Sequence, residues 1–194
     1  MMRFLLWLIG GVVLGGIIHL VVILTLPALA EQSIWSRVAD LEADNRMVVL
    51  PQVLAGDLNP LRLDPALSYG ICRVDLSQGP AYLSGTLPDA FWSVALFDRS
   101  GRVTYSTTNR DGIGRTVEMG IFNADQTRLL AQQQLDVAEG LLVVEADTDN
   151  LLVLIRLAPP HQAMRQRFEA ELSAITCGPR PEAAIPASAG SQTP

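Results

Sequence analysis

The sequence predicts an α+β protein that is mainly β: an N-terminal transmembrane helix, then a compact antiparallel β domain with a C-terminal packing helix. Three observations carry this reading. Residues 4–26 (FLLWLIGGVVLGGIIHLVVILTL) form an apolar run of roughly 23 residues without formal charge, interrupted only by His19 and Thr25. From Met47 onward, about seven short apolar segments follow, with turn residues every 8–12 positions. Near the end, Met164, Phe168, Leu172 and Ile175 recur at helical spacing as one apolar stripe.

At 1.5 Å per residue the first run gives about 34 Å of helix, enough to cross a hydrocarbon core of about 30 Å. The rival reading is a secretory signal peptide cut after Ala28-Leu29-Ala30, although signal cores are usually only about 7–15 residues long. Whether the segment is kept or cut, the remainder is expected across the membrane. Arg3 precedes the span while Arg37 and Arg46 follow it, so the flanking positive charges nearly cancel. The signal-like start and the two cysteines favour an inner-membrane anchor with its domain in the periplasm. Gly11, Gly15 and His19 fall on one helix face, in the small-residue spacing that lets two helices approach. That face is a candidate homodimer contact; tolerated residues of an ordinary membrane helix are the alternative.

The expected layout is an anchor over 1–30, a juxtamembrane amphipathic helix over 31–46, a β domain over 47–177 and a disordered tail over 178–194. In the second segment Ile34, Trp35, Val38 and Leu41 share a stripe. Trp35 suits either the membrane interface or the domain surface. A bend is expected near Pro27. Residues 47–54 read as an edge or irregular strand because Pro51 interrupts them. Loop 56–67 carries Pro60 and Pro65, and strand 69–76 (YGICRVDL) follows it. A turn at 77–80 leads to strand 81–86. Segments 91–98 and 102–107 flank Arg99-Ser100-Gly101 as a hairpin. Residues 109–115 read as a loop and 116–123 as a strand, while 127–135 fits either a short helix or a polar strand. Strands 141–146 and 151–157 are expected to pair through the tight turn Asp147-Thr148-Asp149-Asn150. A helix of about 16 residues begins after Pro159-Pro160, with Arg165–Glu169 and Arg167–Glu171 as exposed i,i+4 pairs.

All 20 acidic residues and 13 of the 14 basic ones lie after the apolar run, leaving that part at about −7. Such a domain is a poor partner for nucleic acid or anionic head groups. Every basic residue is arginine, which reads as compositional bias rather than phosphate binding. Cys72 and Cys177 are expected to pair as a disulfide, with two separately buried thiols as the alternative.

Catalytic signals are sparse. Two histidines, one of them in the apolar run, exclude a His-rich metal site, and no cofactor or metal is expected. His161, at a helix start, is the one general-base candidate outside the span, and a solvated residue is the alternative. Gly112-Ile113-Gly114-Arg115 has neither the Walker pattern nor the dinucleotide fingerprint. Asp64, Asp75, Asp89, Asp98 and Asp111 sit near turns, where aspartate caps backbone N–H groups. Residues 106–111 are a candidate binding rim, or an ordinary solvated loop.

The runs DPALSYGICRVDLSQGP and FWSVALFDRSGRVTYSTTN, behind HLVVILTLPALAE, resemble the domain-of-unknown-function family numbered twelve fifty-four in its short, membrane-anchored alphaproteobacterial form. The resemblance covers residues 15–177 and is sharpest at 69–80 and 91–109. It implies a mainly β envelope protein with a retained anchor and supplies no catalytic residues. Longer members carry extra domains that these residues lack. The expected function is a single-pass inner-membrane protein with a binding or interaction domain facing the periplasm, with an envelope protein partner. Tyr69, Arg73, Trp92, Asn109 and Arg110 are its candidate binding residues. The alternative is an envelope hydrolase using a carboxylate pair or His161.

Overall fold

The computed structural model describes residues 2–30, 34–111, 115–133 and 140–179. Helix α1 (Met2–Ala30) carries the apolar run and continues through Pro27. Its one hydroxyl is satisfied internally: Thr25 Oγ1 donates to the Val21 carbonyl at 2.7 Å. By length and composition the Met2–Leu26 segment can cross a membrane, a test that a signal sequence also passes. None of it is buried against the rest of the chain.

Helix α2 (Ile34–Ala39) is far shorter than the amphipathic pattern to residue 45 implied. The chain turns out of it through left-handed backbone at Glu42 and Asn45. It then lies against the next long strand, where Arg73 N–H donates to the Ala43 carbonyl at 2.7 Å and Asn45 N–H to the Arg73 carbonyl at 2.8 Å. Those two bonds win over continued helix because they satisfy backbone groups at a strand edge.

Among the described residues nine strands follow in two sheets. The first sheet contains β1 (Val48–Val49), β2 (Ser68–Asp75), β4 (Trp92–Phe97), β5 (Val103–Thr108) and β8 (Asn150–Leu157), ordered β1-β2-β8-β4-β5 and antiparallel throughout. The second contains β3 (Ala81–Thr86), β6 (Thr116–Asn123), β7 (Leu142–Ala146) and β9 (Thr176–Pro179), ordered β7-β6-β3-β9. Their inner faces bury Cys72, Leu83, Leu96, Met119, Ile121, Val153 and Ile155 between them.

Two expectations fail here. The sheets are not wholly antiparallel: β6 and β7 pair in parallel through helix α3 (Ala124–Gln133), which resolves the helix-or-strand ambiguity. The deciding signal is a capping box, in which Gln126 N–H donates to Asn123 Oδ1 at 2.9 Å and Asn123 N–H to Gln126 Oε1 at 3.0 Å. Nor do β7 and β8 form a hairpin. The turn after β7 passes the chain between sheets, and the apolar LLVLI run of β8 takes a central position between β2 and β4. The β4–β5 hairpin forms as expected, with Asp98 Oδ1 accepting the Arg102 N–H at 2.9 Å.

The C-terminal helix is also shorter than its pattern, with a 3₁₀ turn over Gln162–Met164 leading into α4 (Arg165–Ser173). Phe168, Leu172 and Ile175 of its stripe are buried. The expected Arg165–Glu169 pair forms, at 3.4 Å, but Arg165 is not on an exposed face as expected. It is only 7 % exposed, and its guanidinium donates to the carbonyls of Pro65 at 2.5 Å and Leu67 at 3.0 Å and to Ser68 Oγ at 3.1 Å. The Arg167–Glu171 pair does form at the surface, at 3.0 Å. Beyond α4, β9 pairs with β3, so ordered structure continues past the expected boundary at Cys177. The expected Cys72–Cys177 disulfide is present, and because β2 and β9 belong to different sheets it ties the two layers together. The proline-rich tail lies outside the described residues, as does the Gly112–Gly114 stretch.

A second apolar cluster covers the outer face of the first sheet. Val38, Ala43, Leu50, Tyr69, Ile71 and Leu152 are buried there beneath α2 and the 50–67 loop.

Candidate functional site

At the edge formed by β5 and β7 the two sheets separate around a cleft of about 240 Å³. Strand alternation sets its lining. Trp92 of β4 and Thr107 of β5 point inward from the first sheet, and Val117 and Met119 of β6 from the second; all four are buried. Leu141 and Leu142 close one side and Asp111 lies at the exposed mouth; Thr116 and Glu118 border the cleft too, but alternation with Val117 and Met119 turns their side chains to the outer face of the second sheet.

The Asp111 carboxylate is held by a hydroxyl donor, Thr108 Oγ1 donating to its Oδ2 at 3.0 Å, while on the outer face Ser84 Oγ donates to Glu118 Oε1 at 2.6 Å. Asn109 sits where β5 ends, its N–H donating to the Trp92 carbonyl at 3.2 Å. Its Oδ1 is buried and has no hydrogen-bond partner among the described residues. An acceptor left in that state costs about 1–3 kcal/mol. An apolar floor and a carboxylate at the mouth suit a small group with an apolar body and a cationic head.

The five residues expected to share one rim do not. Trp92 belongs to the cleft, Asn109 adjoins it, and Arg110 is exposed just beyond. Tyr69 and Arg73 lie on the opposite, outer face of the first sheet, because strand alternation turns them away from Cys72 and Val74. Tyr69 is buried, and its hydroxyl accepts the Asp64 N–H at 2.9 Å. Arg73 is paired with Asp44 at 2.6 Å, and its guanidinium lies 5.4 Å from the ring centroid of Trp35. Arg99 approaches the same ring, also at 5.4 Å, so Trp35 is held on the domain by two cations.

The acid–base candidates take structural positions. Asp64 accepts the Ala66 N–H at 2.8 Å and Asp75 the Ser77 N–H at 3.0 Å. Asp75 is held below the usual carboxylate range by its hydrogen bonds from Ser77, side chain first and backbone second, against a smaller opposing effect of burial. Asp98 is likewise lowered, chiefly by the Ser100 hydroxyl. A general acid needs the opposite shift. Asp89 is exposed. His161 is exposed at the start of the 3₁₀ turn, makes no capping bond through its side chain, and does not line the cleft. Among the described residues no group of three or more His, Cys, Asp or Glu is placed to hold a metal. Gly11 and Gly15 of α1 leave open space where a Cβ would stand, and His19 follows one turn on.

Sequence reasoning found Trp92 and, within the 106–111 rim, Thr107, Asn109 and Asp111, but missed Val117, Met119, Leu141 and Leu142, whose apolar character reads as ordinary strand core.

No family model and no curated protein matches this chain. Among solved structures it is similar to the VPA0106 protein from Vibrio parahaemolyticus, at 12 % identity and a TM-score of 0.49. That similarity covers 59 % of this chain and 28 % of the other, so the chain spans little more than a quarter of that protein's length.

Proposed function

We propose that this is a single-pass inner-membrane protein whose β sandwich faces the periplasm and binds a small amphipathic ligand with a cationic head. The observation that carries the reading is the edge cleft: Trp92, Val117 and Met119 supply an apolar floor, and Asp111 a carboxylate at the mouth. The apolar α1 supports the anchor, and a buried disulfide persists best in an oxidising compartment. The resemblance to the domain-of-unknown-function family numbered twelve fifty-four supports the same placement in the cell envelope.

The test uses methyl-labelled methionine in the full chain in neutral detergent. Met119 lies in the cleft floor, while Met47 is buried in the core away from the cleft and serves as internal reference. Hexylammonium is expected to shift the Met119 methyl resonance saturably, hexanoate to leave it in place, and Thr107→Arg to abolish the response. Equal shifts at Met47 and Met119, or equal responses to the cation and the anion, would remove the ligand class.

A further inference from the structure

Among the described residues outside α1, the most exposed large apolar side chain is Leu58, at 95 %, and Leu54 four residues earlier is 60 % exposed. They stand on a closed turn. Asp57 N–H donates to the Leu54 carbonyl at 3.1 Å, Leu54 N–H donates back to Asp57 Oδ2 at 2.8 Å, and Gly56 supplies the positive φ of +92°. The leucines are therefore presented by a built turn. The two acids of this loop each accept a backbone N–H of the loop, Asp57 as described and Asp64 from Ala66, and Arg62 is exposed beside them.

The position of the turn in the chain indicates what it meets. Arg37 of α2 donates to the Pro60 carbonyl, so the loop is bonded to the first element after α1. From Leu26, the end of the apolar span, four helical residues and a three-residue connection lead to Ile34, which permits at most about 20 Å of separation. The other exposed large apolar side chains among the described residues, Phe91, Val103, Leu129, Leu142 and Val143, stand on segments later in the chain. We infer that the Leu54–Leu58 turn is a second membrane contact, its two leucines entering the lipid surface beside the α1 exit point with Arg62 toward head-group phosphates. Small apolar tips flanked by a cation gain by partial insertion at that depth. This inference rests on α1 being a membrane span.

The experiment reconstitutes the full chain, at low protein density, in phosphatidylcholine vesicles containing phosphatidylglycerol. A single Leu58→Cys is labelled with an environment-sensitive nitrobenzoxadiazole dye; the native cysteines are paired and do not compete. Three further labelled variants are Leu54→Cys in the same turn, Leu14→Cys in the middle of α1, and Val103→Cys on the far edge. We expect blue-shifted emission, quenching by nitroxide lipids and loss of quenching by aqueous iodide at positions 54 and 58 as well as at 14, but not at 103. Lipid quenching at 14 with iodide quenching at 54 and 58 overturns the second contact and leaves the anchor. Iodide quenching at 14 as well overturns the anchor reading on which it rests.

Discussion

At the β2/β9 edge of the sandwich the sheets are joined by Cys72–Cys177 and overlaid by α4, whose Leu172 presses on Gly70. At the β5/β7 edge the same two sheets part around the cleft. The first edge is assembled from segments far apart in the sequence, the bridged cysteines being 105 residues apart. The second is assembled from near neighbours, the β4–β5 hairpin and the β6–α3–β7 crossover. Long-range closure gives one side its stability. That leaves the other side with an incompletely filled interior and Asp111 at its mouth, so cleft and structural staple are at opposite ends of one core.

The largest test of this contrast is the bridge. A cross-link between residues 105 apart contributes about 4.7 kcal/mol in the chain-entropy model. Replacing both cysteines by alanine should therefore lower the urea midpoint far more than any single change at the cleft. The check is urea unfolding of wild type and C72A/C177A in the same detergent, with reduced wild type as a third arm. If the double variant unfolds within experimental error of wild type, the staple is not where stability resides.

An intermediate effect is expected at Gly70. A Cβ there would stand 2.9 Å from Leu172 Cδ1 and Cγ and 2.9 Å from Met47 Sδ, so α4 or Met47 must move. Gly70→Ala should cost about 1–3 kcal/mol through overpacking. The matched change at the open edge, Leu142→Ala, removes a side chain that is 39 % exposed and should cost no more than about 1 kcal/mol. Pairing Gly70→Ala with Leu172→Val should recover part of the loss if the clash is the cause. Thermal melts of the four proteins rank the two edges directly.

Much of the closed edge was legible in the sequence because its signals are local or chemical: two cysteines, an apolar stripe at helical spacing, an alternating YGICRVDL strand. What escaped depended on partners. Strand β9 is only four residues, TCGP, without alternation, and exists because β3 offers it an edge. Arg165 carries the same helical spacing to Glu169 as a surface pair would, and only the carbonyls of Pro65 and Leu67 distinguish it. The turn after β7 has the composition of a hairpin turn, yet β8 is so apolar on both faces that a central place in the other sheet wins. The cleft was legible least, since a gap between sheets is a property of what fails to meet. Trp92 read as part of a binding rim shared with Tyr69 and Arg73, and nothing in its neighbours revealed that β4 turns it inward, away from both.

The smallest expected effect is the acid response of the open-edge hairpin. Asp98 is held below its ordinary value first by the Ser100 hydroxyl, with burial opposing, and then by the backbone N–H groups of Arg102 and Ser100 and the Arg102 charge. A carboxylate lowered on folding contributes stability above the unfolded value of about 3.9 and loses it as pH falls through the folded one. The unfolded chain takes up the proton first, so the loss sets in below about pH 5 and is complete once the folded form is protonated too. Asp98→Asn retains an acceptor for the Arg102 and Ser100 donors and has no proton to take up. It should melt close to wild type at pH 7, and it should lose less than wild type between pH 5 and pH 3, where Asp75 continues to titrate in both. Melting curves across that range decide the matter. A neutral-pH loss approaching that of the cysteine double variant would mean that the hairpin, built from local contacts, carries as much of the fold as the distant staple, and the contrast between the edges would fail.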